Sequence, residues 1–189
     1  MRRGLLIVIS GPSGVGKDTL IARLLRLDGN LHYSVSCTTR APRPGEIDGV
    51  SYTFVTPERF DQLVTEGAFL EHARYHGNQY GTLRERVERG RDAGRDVVLK
   101  IEVMGAEQVR GKEPGALFIF IAPPSTDELV RRQVTRNSES ADDMASRLKI
   151  AESEMAFAQH YDKVVINDDL ERAASEVLQI IREARGRQT

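Results

Sequence analysis

A glycine-rich run directly after an apolar stretch restricts the fold of this chain more than any other feature of its sequence. The apolar stretch is Leu5–Ile9, and the run reads Gly11-Pro12-Ser13-Gly14-Val15-Gly16-Lys17-Asp18-Thr19. Glycines let backbone N–H groups turn inward around an anion, and the positive end of a following helix adds to that site. Lys17 can then reach the outer phosphates of a nucleotide. The pattern predicts a strand, a phosphate-binding loop and a helix, as a nucleotide-dependent phosphotransferase requires.

The residue after the lysine departs from the usual form of such a loop. A serine or threonine commonly stands there and its hydroxyl binds Mg²⁺, whereas this chain has Asp18. A carboxylate is also a hard oxygen ligand, so Asp18 is a candidate Mg²⁺ ligand with a different geometry and local charge.

Composition favours one ordinary globular domain with insertions. The chain has 189 residues, of which 40% are apolar and 29% are charged, and its formal net charge is −1. This balance gives no electrostatic reason to expect nucleic acid or an anionic membrane as a partner. No apolar run approaches the roughly 20 residues that cross a bilayer, and the single cysteine, Cys37, excludes an internal disulfide framework. We therefore expect a cytoplasmic protein.

Short apolar segments alternate with helix-like segments along most of the chain. After the first strand, we predict four more at Tyr33–Cys37, Asp96–Glu102, Ala116–Ile121 and Lys163–Ile166. Short apolar strands separated by helices form right-handed crossovers in a sheet that is covered on both faces. The predicted fold class is therefore α/β, with a five-stranded parallel sheet and helices on both faces.

Capping residues mark where the helices are expected to begin. Thr56 precedes a proline, Ser125 follows two prolines, and Thr82 stands before a helix-like segment as an ordinary N-cap would. The last helix is predicted at about Leu170–Arg185. These signals place a helix after each of the inner strands.

Two segments do not fit the alternation of strands and helices. They run from about Ser36 to Thr82 and from about Thr126 to Lys149, and we expect both at the carboxyl edge of the sheet, where open α/β sheets bind ligands. Each segment groups arginines, as two phosphate-bearing substrates would need. These arginines are Arg40 and Arg43 in the first segment and Arg131, Arg132, Arg136 and Arg147 in the second.

Four further stretches accompany the glycine-rich loop: Thr38–Glu46, Tyr80-Gly81, Gly105-Ala106 and Asn167-Asp168-Asp169. With the loop, they make the chain from Leu5 to about Arg182 resemble the guanylate kinase family. The resemblance implies ATP as phosphoryl donor, GMP and with it dGMP as acceptor, and Mg²⁺ as cofactor. It also implies a P-loop NTPase-type core at residues 1–35, 83–125 and 150–189, a GMP-binding insert at about 36–82, and a lid at about 126–149 that closes over ATP.

The resemblance assigns polar residues of the first insert to GMP. Arg40 and Arg43 match arginines that hold the GMP phosphate, and guanidinium groups suit phosphate because they bind it bidentately. Glu71 matches the residue that reads guanine, because a carboxylate accepts from the N1–H and amine of guanine, whereas adenine offers an acceptor at N1. The other matching positions are two phosphate-binding hydroxyls, Tyr52 and Tyr80, and three base contacts, Ser36, Thr82 and Glu102.

The ATP site and the catalytic groups are implied in the same way. The loop from Gly11 to Thr19 binds the ATP phosphates, and Asn167 matches a residue close to the adenine. Cations placed on the developing charge supply most of the rate, and the acceptor phosphate, with a second pKa of about 6, needs no general base. The implied catalytic residues are Lys17, Arg40, Arg132, Arg136 and Arg147.

A second departure from the family pattern lies at Lys100. The family stretch usually reads leucine, acid, isoleucine, acid, with the first acid near the magnesium waters, whereas this chain has Lys100 there, two residues before Glu102. The end of this strand should lie beside the phosphate loop, so Asp18 and Lys100 form a candidate reciprocal exchange. They would form an ion pair or share the Mg²⁺ shell; two independent tolerated changes are the alternative.

Two other functions compete with GMP phosphorylation. Ribose bisphosphate phosphokinases also have aspartate after the loop lysine, but they would not need the guanine-reading residues that this chain keeps. Guanylate-kinase-like modules of scaffold proteins bind phosphopeptides, but they typically lack a working phosphate loop. The presence of Glu71 argues against the first alternative, and the presence of Gly16 and Lys17 argues against the second.

Overall fold

The computed structural model describes residues 2–75, 77–134 and 153–187. Its strands are β1 (Leu6–Ser10), β2 (Leu31–Tyr33), β3 (Cys37–Thr38), β4 (Thr53–Phe54), β5 (Phe69–Tyr75), β6 (Asn78–Leu83), β7 (Asp96–Lys100), β8 (Leu117–Ala122) and β9 (Lys163–Ile166). Its main helices are α1 (Lys17–Leu27), α2 (Pro57–Thr65), α3 (Arg84–Asp92), α4 (Val103–Lys112), α5 (Thr126–Val134) and α6 (Leu170–Gly186). Two predicted catalytic residues, Arg136 and Arg147, and most of the predicted lid lie outside the described residues.

A five-stranded, all-parallel sheet forms the centre of the fold, in the order β2-β7-β1-β8-β9. Strand β1 is buried along its whole length, and β7 and β8 are buried except at one end each. Continuous apolar runs are typical of parallel strands that are covered on both faces. The predicted α/β class with a five-stranded parallel sheet is confirmed.

The predicted strand at Tyr33–Cys37 was wrong in its bounds. Strand β2 ends at Tyr33 and pairs with β7, whereas Cys37 begins β3 in a different sheet. The Ser34 N–H still donates to the Val98 oxygen at 3.0 Å, so the chain leaves the first sheet just after that residue. Residues at both ends of the segment favour a strand conformation. Only the pairing partners show that the two ends belong to different sheets.

The predicted helix starts have two different outcomes. The Thr56 hydroxyl accepts from the Arg59 N–H at 3.2 Å and caps α2, and the Ser125 hydroxyl accepts from the Glu128 N–H at 3.2 Å and caps α5. Thr82 is not a cap, because α3 begins at Arg84 with Leu83 at its N-cap position. Thr82 instead lies within β6.

A second, four-stranded sheet lies in the first insert, in the order β4-β3-β6-β5. Strands β5 and β6 form an antiparallel hairpin, with Tyr75 opposite Asn78. This sheet has an apolar cluster of its own, in which the Phe60 and Phe69 rings stack 4.5 Å apart. The insert therefore folds around its own small core rather than as a long surface loop.

Two compact units can be described by their internal packing. The first comprises Met1–Ile7, Asn30–Leu99 and Met104–Ala116, and the second comprises Val8–Gly29, Lys100–Val103 and Leu117–Thr189. The four-stranded sheet belongs to the first unit, and the glycine-rich loop belongs to the second. Within residues 2–75, 77–134 and 153–187, no helix is long and apolar enough to span a membrane.

Candidate functional site

The glycine-rich loop joins β1 to α1 and takes a shape that only glycine allows at two positions. Gly11 has a φ of 147°, and a Cβ there would lie 2.1 Å from the Ile121 carbonyl oxygen. Gly16 has a φ of 100°, and a Cβ there would lie 2.6 Å from Nδ2 of Asn167. Gly16 is also the N-cap of α1. Because glycine offers no capping side chain, the first N–H groups of α1 are left for an anion.

The ammonium of Lys17 lies inside this loop. The Lys17 side chain is buried, and its Nζ donates to the Gly11 oxygen and, at 3.1 Å, to the Pro12 oxygen. Burial lowers the pKa of Lys17, while the charges of Glu102 and Glu154 oppose that shift. Phosphate oxygens would be stronger, charged acceptors for the same ammonium.

Two glutamates act on Lys17 from within its own unit. Glu154 is 6% exposed and accepts from the Ser13 N–H, and burial raises its pKa, with the charge of Glu102 adding to the shift. Among the described residues, the Oε2 atoms of Glu102 and Glu154 are buried without a hydrogen-bond partner. Sequence reasoning missed Glu154 because it lies in a charged stretch with no motif of its own. Glu102, predicted to contact the base, belongs to the unit of the phosphate loop.

An ion pair joins the first turn of α1 to the end of β7. The Nζ atom of Lys100 donates to Oδ1 of Asp18. The Lys100 side chain is 18% exposed and that of Asp18 is 81% exposed. The ion pair predicted from the two departures at these positions is confirmed.

Asn167 fastens the phosphate loop to the end of β9. Its side-chain amide donates to the Val15 oxygen at 2.8 Å, and its backbone N–H donates to the Ala122 oxygen at 2.8 Å. Arg132 in turn donates from Nη1 to the Asn167 oxygen at 3.0 Å. The predicted adenine neighbour therefore also holds the loop in place.

The arginines at the end of α5 share one carboxylate. Arg131 and Arg132 donate from their Nε atoms to Glu128 at 2.7 and 2.8 Å. These bonds, first that of Arg131, lower the pKa of Glu128 to about 2. Both arginines reach a cavity of about 470 Å³, a suitable size for a nucleotide. The cavity is lined by Gly14, Gly16, Thr19, Arg131, Arg132, Asn167, Asp168 and Leu170.

In the other unit, the β5–β6 pairing brings the predicted guanine-reading residue beside a hydroxyl. Glu71 lies opposite Thr82 in the register, and the Thr82 hydroxyl donates to Oε1 of Glu71 at 2.6 Å. Glu71 is 4% exposed, and burial raises its pKa to about 7 although the bonds from Thr82 and the charge of Lys112 act in the opposite direction. The group therefore stands near the balance between its neutral and charged forms at neutral pH.

The short strand β3 brings Ser36 to the same part of this sheet. Cys37 pairs with Gly81 in an antiparallel register, so Ser36 and Thr82 flank that pair from the two strands. A Cβ on Gly81 would lie 2.8 Å from the Phe69 ring, which explains the glycine there. Ser36 and Thr82 are both buried. Thr82 contacts Glu71, and Ser36 lies on the other side of Thr82 in the sheet.

The predicted phosphate-binding arginines lie in a turn that one carboxylate organises. Glu46 accepts from Nη2 of Arg40 at 2.8 Å and from the backbone N–H of Arg43 at 2.7 Å. Both contacts, first that of Arg40, lower the pKa of Glu46. Sequence reasoning gave Glu46 no role, although an acid three residues after Arg43 is a signal for such a turn.

Aromatic rings hold the Arg40 guanidinium from another side. The Cζ atom of Arg40 lies 5.4 Å from the Tyr52 ring centre and 5.9 Å from that of Phe54. Tyr80 forms a side-chain hydrogen bond with Arg40, and its ring meets that of Tyr52 edge to face at 6.0 Å. The structure thus brings Arg40, Tyr52 and Tyr80 together, and the Arg43 side chain is exposed beside them.

Comparisons with known proteins agree on one family. A family model described as guanylate kinase matches residues 3–184. A guanylate kinase of Rubrobacter xylanophilus is 50% identical over 182 residues, which are 96% of this chain and 95% of that one. A guanylate kinase of Lactococcus lactis subsp. lactis is 49% identical, covering 95% of this chain and 87% of that one. The crystal structure of guanylate kinase from Anaplasma phagocytophilum is similar with a TM-score of 0.80 and 37% identity, covering 96% of this chain and 86% of that one.

Proposed function

This chain belongs to the guanylate kinase family, and from that we infer that it transfers the γ-phosphoryl group of ATP to GMP, giving ADP and GDP. The observation that carries this inference most directly is the buried carboxylate of Glu71, held by Thr82 in a unit that also groups phosphate-binding side chains. Neither a ribose bisphosphate phosphokinase nor a phosphopeptide-binding module is favoured by this membership.

Guanine is read by the charge and position of Glu71. An ionised carboxylate accepts from guanine N1–H and from the exocyclic amine, whereas adenine has no donor at N1 and no amine at C2 to offer it. A base without these donors loses both hydrogen bonds to Glu71, so a hydrogen-bonding pocket of this kind discriminates strongly. Thr82 stands beside Glu71 as a further base contact, Ser36 lies on the other side of Thr82, and Glu102 remains a predicted contact.

The GMP phosphate is bound by the arginine turn. Arg40 is held by Glu46 and by the Tyr52 ring before any ligand arrives, so little side-chain entropy is lost when phosphate binds. Arg43 adds a second guanidinium, and the Tyr80 hydroxyl adds a directed donor.

ATP is bound by the second unit. The loop from Gly11 to Thr19 cradles the phosphates with Lys17, and the cavity beside Asn167 takes the adenosine. Arg132, already held at this cavity by Glu128, stabilises the charge that develops during transfer, and we expect the same of Arg136 and Arg147. Lid closure over ATP and use of dGMP as well as GMP are part of the same proposal.

The donor atoms at the loop fit Mg²⁺. Asp18 presents an exposed carboxylate, the hard oxygen donor that Mg²⁺ takes, and a carboxylate can accept from Lys100 and contact a metal at once. Within the described ranges no group of three histidine, cysteine or acidic residues could hold a metal alone. We propose that Asp18 and the nucleotide phosphates hold Mg²⁺ together, and that the ion, when bound, neutralises phosphate charge. A cytoplasmic location stays a prediction.

The test is a comparison of acceptors with the purified chain and ATP. We expect rapid phosphorylation of GMP and of dGMP, and little of AMP or ribose 1,5-bisphosphate, with ADP released in equal amount. Preference for ribose 1,5-bisphosphate would overturn the guanine assignment. If the protein binds GMP but does not phosphorylate it at any Mg²⁺ concentration, the assignment of the chain as a phosphotransferase is overturned.

A further inference from the structure

The acidic residue directly after Lys17 creates an electrostatic problem for a loop that binds phosphates. Asp18 lies in the first turn of α1, where free N–H groups and the helix dipole favour an anion. Nucleotide phosphates are themselves anions, so an uncompensated carboxylate would repel them at close range. A compensating positive charge in addition to Lys17 is therefore needed.

Lys100 supplies a positive charge at this position. It lies 82 residues from Asp18 in the chain and donates to the Asp18 carboxylate from the last position of β7. Because the Lys100 side chain is 18% exposed and that of Asp18 is 81% exposed, the ammonium is the more firmly packed member of the pair. A strand end of the central sheet thus holds the exposed carboxylate of the helix.

The pair lies beside the phosphate loop, because Asp18 directly follows Lys17 in the first turn of α1 and Lys100 contacts Asp18. Burial is the main cause of the lowered pKa of Lys17; among the charges that act on it, Lys100 lowers the pKa and Asp18 raises it. The two members therefore act with opposite sign on the residue that contacts phosphate. Together they approximate a neutral group.

We propose that Lys100 is a positioning residue for the phosphate loop: its ion pair with Asp18 neutralises and holds that carboxylate, so that nucleotide phosphates bind without net repulsion. This inference rests on the proposed binding of ATP by the loop but does not depend on GMP as the acceptor. Mg²⁺ brings positive charge of its own to the phosphates, so the contribution of Lys100 is largest when no Mg²⁺ is present.

The experiment is a double-mutant cycle measured by ADP binding in calorimetry, with EDTA and then with Mg²⁺. Lys100→Met keeps the length of the apolar stem and removes the charge. We expect it to weaken ADP binding about tenfold in EDTA and less in Mg²⁺. In EDTA, Asp18→Asn alone leaves binding equal or tighter, and the double variant returns to within about threefold of the unaltered protein; in Mg²⁺, Asp18→Asn should weaken ADP binding, because a proposed ligand of the ion is lost. Lys100→Arg, which keeps the charge, should bind ADP nearly normally.

The matched control is Arg23→Met. It removes an ion pair of the same helix, between Arg23 and Glu171, and changes the net charge by the same amount. We expect its ADP affinity to stay within about twofold of normal, because neither Arg23 nor Glu171 lines the cavity beside Asn167. An equal loss in Arg23→Met would show a general charge effect and would overturn the proposal.

GMP binding separates this inference from the proposed function. A purely structural defect in Lys100→Met would weaken GMP and ADP binding alike and would not be rescued by Asp18→Asn, which would overturn the positioning role. Strictly additive effects of the two substitutions on ADP binding would also overturn it. Failure of the unaltered protein to bind ADP would instead overturn the proposed ATP site. If the double-mutant cycle in ADP binding gives the expected result but the protein does not phosphorylate GMP, only the assignment of GMP as the acceptor is overturned.

Discussion

At the scale of single residues, the acceptor half of the site is built from acids that are prepared for their partners. Glu71 is buried and accepts from the Thr82 hydroxyl, and its burial favours the neutral form until a ligand supplies further donors. Glu46 is the opposite case, since it stays charged by accepting from Arg40 and from the backbone of Arg43. Glu71 is thus the acid proposed to bind the base, and Glu46 orients Arg40, the cation proposed to bind the phosphate.

The raised pKa of Glu71 predicts a dependence of stability on pH. The carboxyl ionises near 4.5 in the unfolded chain and at about 7 in the folded one, so its favourable neutral state is fully present below pH 4.5 and is lost as pH rises through 7. Glu71→Gln, which stays neutral, should be more stable than the unaltered protein at pH 8, by up to about 3 kcal/mol, and by little at pH 5.

Urea unfolding at the two pH values measures this difference. Glu66→Gln in the same unit is the control, because its carboxylate is half exposed and should show no comparable change between pH 5 and pH 8. An effect of Glu71→Gln that is the same at both pH values would mean that Glu71 is ionised throughout.

Glu46 predicts a different kind of loss. Glu46→Gln removes the charged acceptor that orients Arg40, so the KM for GMP should rise about five- to tenfold while the KM for ATP is unchanged. Steady-state kinetics with each substrate varied in turn would measure the change in each KM separately. Glu58→Gln on α2 serves as an exposed control. Equal increases in both KM values would contradict a role confined to the arginine turn.

At the scale of secondary-structure elements, the phosphate loop depends on how β1, α1 and β9 meet. Gly16 combines a positive φ with a close neighbour, since its missing Cβ leaves room for the Asn167 amide that holds Val15. By contrast, Gly67 has a positive φ of 66° and open space around it, since a Cβ there would have nothing within 4 Å. The two kinds of glycine separate backbone strain from steric exclusion.

Gly16→Ala should therefore abolish tight ADP binding, whereas Gly67→Ala should not. Both substitutions place alanine in a left-handed conformation, at a cost of about 1 kcal/mol, but only Gly16→Ala also displaces Asn167 and breaks its hydrogen bond to the Val15 carbonyl. Calorimetric titration with ADP, together with urea unfolding of both variants, distinguishes the two effects. Loss of ADP binding in Gly67→Ala as well would show that the defect is one of global stability.

Element prediction from the sequence succeeded where one force dominates and failed where two compete. The apolar runs of β1 and β8 were found because burial alone selects them. Thr82 was open to two interpretations, as a helix cap or as a site residue, and only the β5–β6 register shows that its hydroxyl turns to Glu71. The Tyr33–Cys37 strand failed for a related reason, because strand propensity does not specify which sheet a residue joins.

Motifs predicted the candidate site residues, but they did not predict the residues that support them through contacts. Lys17, Arg40 and Glu71 stand in recognisable patterns, whereas Glu46 and Glu154 matter through partners that are brought near by folding. The Asp18–Lys100 pair is an intermediate case, since both departures from the family pattern were visible and their contact could be deduced from the strand order. Contacts between distant parts of the chain are what sequence patterns reveal least.

At the scale of the whole molecule, each compact unit carries most of the residues proposed for one substrate. The unit with the four-stranded sheet contains Glu71 and the arginine turn, and the unit with the glycine-rich loop contains Lys17 and Asn167. Apart from Glu102, the residues proposed to read the base belong to the first of these units, and those proposed to bind the donor phosphates belong to the second. Substitutions in one unit should consequently change the KM of one substrate more than that of the other.

The most direct single measurement is the ratio of kcat/KM for GMP to that for AMP, in the unaltered protein and in Glu71→Gln. A pocket that reads guanine through a buried carboxylate should favour GMP by about 10⁴-fold or more. Glu71→Gln should lower kcat/KM for GMP by about 100-fold and reduce the ratio, because the variant loses one acceptor and adds a donor that opposes the guanine amine. A ratio that Glu71→Gln leaves unchanged, or comparable use of AMP by the unaltered protein, would contradict guanine recognition by Glu71.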